Sequence, residues 1–99
     1  MAMADEAAPI TITERAAQEV KTIMLTKNIP AAYALRIGVR GGGCSAAPLI
    51  GFDVRSEKDR AYSIAGITVI SDKAHVLYVA GKTVDFYEGA DARGFSFVD

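Results

Sequence analysis

Between Thr13 and Lys27 the apolar residues Ala16, Val20, Ile23 and Met24 recur at helical spacing, while Arg15, Gln18, Lys21 and Thr22 fill the other positions. The spacing predicts an amphipathic helix. Thr11 or Thr13 can cap its start, Thr11 standing at capping-box distance from Glu14, and Asn28 with Pro30 ends it. The period then drops to two. Tyr33, Leu35, Ile37 and Val39 alternate with Ala34, Arg36, Gly38 and Arg40, which predicts a strand with one core face, packed near Val20, Ile23 and Met24, and one polar face. Ile50, Phe52 and Val54 repeat the alternation after a glycine-rich break. Ser56 to Arg60 reads as a charged turn, followed by two short strands, Ala61 to Ile64 and Ile67 to Ile70, joined tightly at Ala65-Gly66.

From Asp72 the helical period returns, with Ala74, Leu77 and Tyr78 on one face, Ser71 or Asp72 as cap and Gly81 at the exit. Val84 to Tyr87 and Phe95 to Val98 are the last strand candidates. The expectation is a small α+β domain with mostly antiparallel strands and two helices. Met1 to Pro9 shows no periodicity and reads as a flexible lead, leaving 10–99 as the domain.

A length of 99 residues admits one core, and 51% hydrophobic with 23% charged residues lies far from disorder. Eleven basic residues against twelve acidic ones give a net charge of −1, which excludes a dominant electrostatic footprint for nucleic acid or an anionic membrane surface. No run is long and apolar enough for a membrane span. The single cysteine, Cys44, forbids an intrachain disulfide and suits a reducing compartment, so the cytoplasm is the expected location.

Candidate chemistry concentrates at Gly41-Gly42-Gly43-Cys44-Ser45, directly after a strand. A flexible turn explains the glycines by themselves. A phosphate cradle fails, because Cys44 occupies the place of the lysine and Pro48 interrupts the helix that must follow. A thiolate is, however, a soft ligand for iron–sulfur clusters or zinc. A Cys44–His75 nucleophile is a weaker option, since no third group is identifiable to orient His75, the only histidine. Arg36 and Arg40 read as solvated charges on the outer face of their strand.

Leu35-Arg36-Ile37-Gly38-Val39-Arg40-Gly41-Gly42-Gly43-Cys44-Ser45 resembles the signature strand and loop of A-type iron–sulfur carriers, the HesB/IscA-like family. Further segments match in the same order: Ile10-Thr11-Ile12-Thr13 before a helix, Gly66-Ile67-Thr68-Val69-Ile70, Tyr78-Val79-Ala80-Gly81, Val84-Asp85-Phe86 and Gly94-Phe95-Ser96-Phe97. The resemblance implies a compact β-rich HesB-like fold, homo-oligomers, and a non-enzymatic role in carrying iron or an iron–sulfur cluster.

Of the three cysteines that act in the family, Cys44 matches the first and is the expected metal and cluster ligand. The Cys-Gly-Cys tail that holds the other two has no counterpart in the sequence. Ala46 also stands where glycine is usual, and Pro48-Leu49 where an aromatic is common. The remaining ligands are therefore expected from another subunit, a partner or that tail. The implied partners are other iron–sulfur assembly proteins and recipient apo-proteins. The alternative is a HesB-like interaction module that has lost cluster binding.

Overall fold

The computed structural model describes residues 8–40, 47–90 and 92–98. In chain order the elements are β1 (Thr11–Ile12), α1 (Glu14–Thr26), β2 (Tyr33–Arg40), β3 (Ala47–Val54), β4 (Asp59–Ile64), β5 (Ile67–Asp72), α2 (Val76–Val79), β6 (Thr83–Glu88) and β7 (Arg93–Val98). They form a four-stranded sheet, β3-β2-β5-β4, and a three-stranded sheet, β1-β6-β7. Three of the five pairings are antiparallel; β1 with β6 and β2 with β5 run parallel. The α+β, β-rich expectation holds.

Local sequence explains the helix boundaries. Thr13, not Thr11, caps α1: its Oγ1 accepts from the Ala16 N–H at 3.1 Å and its hydroxyl donates to Asp85 Oδ1 at 2.8 Å. Thr11 is drawn instead into β1, opposite Thr83. At the far end Asn28 takes a φ of 53°, and the Asn28 and Ile29 N–H groups bond back to the Leu25 and Met24 carbonyls, the two bonds of a Schellman exit. The β4–β5 hairpin turns through Ala65 and Gly66, with φ values of 54° and 82°. Both are positive, as a type I′ turn requires.

The core lies between α1 and both sheets. Ala16, Ala17 and Val20 of α1 meet Leu35 and Ile37 of β2, Ile67 and Val69 of β5, and Val84 and Phe86 of β6 in one buried cluster. Three expected members fall outside it. Tyr33 is 37% exposed because it stands at the open end of β2, Val39 is only half-buried near the other end of that strand, and Ile23 is only half-buried because the helix turns its Ala16-Ala17-Val20-Met24 stripe inward.

The second helix departs more from expectation. β5 continues through Asp72, so the helix is a single turn, Val76–Val79. Val76 and Val79 turn inward, as does His75 just before the helix. Leu77 is left 88% exposed and Tyr78 52% exposed, the reverse of the expected face. Asp72 caps the preceding turn rather than the helix, its Oδ1 accepting from the Ala74 N–H at 2.8 Å. Gly81 does make the left-handed exit, with a φ of 83°. Its N–H donates to the Pro9 carbonyl at 2.7 Å. Residues 1–7 of the expected lead lie outside the described residues.

Candidate metal centre

β2 and β3 pair in register along eight positions, from Tyr33 opposite Val54 to Arg40 opposite Ala47. The chain between Arg40 and Ala47 contains Cys44, which lies outside the described residues. What the structure describes is the strand end from which that connection leaves. β2 is one of the two interior strands of its sheet, flanked on both sides and covered on both faces: Leu35 and Ile37 are buried on one face, Ala34 and Gly38 on the other.

Gly38 has a specific reason to be glycine. A Cβ there would stand 2.6 Å from His75 Nδ1, so the imidazole lies directly on the strand backbone. The Val39 N–H donates to the same nitrogen at 3.5 Å, a long contact. His75 is thus the residue before α2, not part of it. It makes no side-chain cap bond to the helix because its ring is turned to β2. This does the work of a wedge between α2 and the strand end. No group of three His, Cys, Asp or Glu side chains among the described residues could hold a metal ion.

The sequence reading missed the strongest electrostatic feature of this strand. Arg36 is not a solvated face charge; its side chain is 19% exposed. Its Nη1 and Nη2 donate to the two Asp59 carboxylate oxygens at 2.8 and 2.7 Å, and its Nε donates to Asp53 Oδ2 at 2.9 Å. Asp59 is in turn buried at the start of β4 rather than exposed in a charged turn, and it also accepts from the Ser56 N–H at 2.8 Å. Residues 55–58 carry the chain from one edge of the sheet, β3, to the other, β4. Arg36 therefore ties both ends of that crossing to β2.

The fork-to-carboxylate geometry is the strong form of ion pair. The hydrogen bonds from Arg36 outweigh the cost of burying Asp59 and hold its carboxyl down at about 2. The reciprocal bond to Asp59 holds the guanidinium charged far above the ordinary range. Asp85 is also lowered, first by the Thr13 hydroxyl and then by the Phe86 N–H.

Among the described residues no helix is long and apolar enough to cross a membrane. No family model matches the chain. Individual proteins do. The chain is 33% identical over 97 residues to the iron–sulfur cluster insertion protein ErpA of Aeromonas hydrophila, covering 96% of this chain and 83% of that one. It is 37% identical over 90 residues to the iron-binding protein IscA of Xenorhabdus nematophila, covering 89% and 82%. Among solved structures, Escherichia coli SufA, involved in biosynthesis of iron–sulfur clusters, superposes with a TM-score of 0.74 at 20% identity, over 97% of this chain and 91% of that one. IscA with its 2Fe–2S cluster superposes with a TM-score of 0.64 at 19% identity, over 91% and 81%. At these identities the structural likeness establishes the fold, and the sequence relatives establish the kinship.

Proposed function

The chain belongs to the A-type iron–sulfur carrier family, the kin of ErpA and IscA, and from that premise we propose that it carries iron or an iron–sulfur cluster on the thiolate of Cys44. The observation that carries this reading is the coincidence of the one cysteine in the sequence with the connection that leaves the anchored strand β2.

The chemistry sets further terms. The thiolate, not the thiol, is the ligand, so loading is favoured as pH rises and releases a proton. A cluster takes about four protein ligands, and this sequence supplies one cysteine. The rest come from another subunit, a partner protein, a small thiol or the family's Cys-Gly-Cys tail. The cargo is then shared and exchangeable, and binding it promotes association of the chains by linkage. Its partners on this reading are the assembly proteins that load it and the apo-proteins that it loads.

Anaerobic reconstitution with ferrous iron and sulfide tests the proposal. Visible absorption that vanishes in Cys44→Ser is expected, together with a shift from monomer to dimer in sedimentation that depends on added thiol. A protein that stays colourless under every thiol condition would instead identify an interaction module that keeps the fold without the cargo. A cluster held tightly on a strict monomer without added thiol would overturn the shared site while leaving Cys44 as a ligand.

A further inference from the structure

Away from the β2 end, a polar cavity of about 350 Å³ opens beside the 55–58 crossing and the first residues of β4. Arg55, Arg60 and Lys73 line it together with Tyr62, Glu57 and Asp59. Three cations converging on one hollow repel each other unless something of opposite charge lies among them. Among the described residues no ion pair supplies it. No carboxylate among the described residues is in ion-pair range of any of the three. Asp59 cannot serve, because its oxygens are taken by Arg36 and by the N–H and hydroxyl of Ser56. Glu57 remains as the one uncommitted carboxylate in the wall, against three positive charges. On a chain whose net charge is −1, this is a local excess and not a reflection of composition.

We infer that this cavity is a binding site for a small multivalent oxyanion, either an organic polycarboxylate or a phosphate compound. Two guanidinium forks match the paired oxygens of such groups, Lys73 adds a compact charge, and the Tyr62 hydroxyl can donate to a remaining oxygen. The volume lies at the small end of the range for ligand pockets, which favours a compact acid over a large cofactor. The clamp beneath has a part in this. By saturating Asp59, Arg36 removes the carboxylate that would otherwise fill the site with an internal ion pair. The inference stands apart from the cargo chemistry of Cys44.

Amide shifts of the full chain are measured during titration with citrate and, separately, with pyrophosphate at low ionic strength. Saturable shifts centred on residues 55–62 and 73 are expected, and the tighter of the two probes identifies the carboxylate or the phosphate source. The double variant Arg60→Gln with Lys73→Gln should weaken binding roughly tenfold or more, without lowering the melting temperature, because both side chains are exposed. Cys44→Ser should bind as the parent does. Shifts of equal size around Lys21 and Arg15, or an unchanged affinity in the double variant, would overturn the site. So would failure of both anions alongside an acidic peptide that protects the amides of β4. That result would mark the free edge of β4 as a strand-docking surface instead.

Discussion

Leu35 and Ile37 on one face of β2 belong to the aliphatic core with Val20 and Val69, whereas Arg36 between them reaches across the other face to Asp59, Asp53 and the Val54 carbonyl. Adjacent residues of one strand are thus secured by different physics. The aliphatic face is stabilised by removing apolar area from water, a force without direction. The polar face depends on bond geometry, which fixes where the 55–58 crossing lies but returns much of its energy to desolvation. The first face therefore explains why the sheet is stable. The second explains why the crossing, and the cavity beside it, sits where it does.

The comparison is broken most severely at the aliphatic face. Leu35→Ala and Ile37→Ala should each cost about 2–5 kcal/mol, since both side chains are fully buried. Denaturant titration measures this, and a loss near zero would show that this face does not hold the sheet.

On the polar face Asp59→Asn should cost less, about 2–3 kcal/mol, by leaving a half-buried guanidinium short of its main counter-charge. Asp53 still neutralises part of it, at 2.9 Å. A loss matching that of Leu35→Ala would mean that the clamp is as central to stability as the core.

Acid sharpens the same contrast. The Asp59 carboxyl sits at about 2 in the folded chain, below the roughly 3.9 of an unfolded aspartate. Its contribution is therefore fully present above the unfolded value and is lost as pH falls from about 4 towards 2. Melting temperatures taken across that window should fall in the parent and fall less steeply in Asp59→Asn. Parallel curves for the two proteins would remove Asp59 as the titrating group.

These two faces also mark what could be read from sequence. Period-two alternation located Leu35 and Ile37, and the residues that end or turn elements, Asn28, Gly66 and Gly81, were legible because positive φ restricts which residues can stand there. Arg36 was not. A charged residue on a strand's outer face looks the same in sequence whether water or a carboxylate 23 positions away satisfies it. The α2 region failed for a related reason. Over a single turn three or four positions cannot define a period, and contact with Gly38 and the core, not the pattern, decided which side turned inward. At the candidate centre the motif around Cys44 was plain from sequence, but the role of Gly38 became visible only with His75 lying on it.

The smallest expected effect is the most discriminating one. Replacing Arg36 by Met and Asp59 by Leu together removes both buried charges at once, so neither is left unpaired. A swap of this kind typically leaves stability within about 1 kcal/mol of the parent, because the lost attraction is offset by the desolvation no longer incurred. The global unfolding free energy should then be nearly unchanged, while amide exchange at Ser56, whose N–H would lose its carboxylate partner, accelerates relative to Leu35 in the core strand. That combination would establish the clamp as a device for placing the crossing rather than for holding the fold. A double variant that loses as much as Asp59→Asn alone would show the opposite, that the ion pair is worth more as a unit than the apolar contact that replaces it.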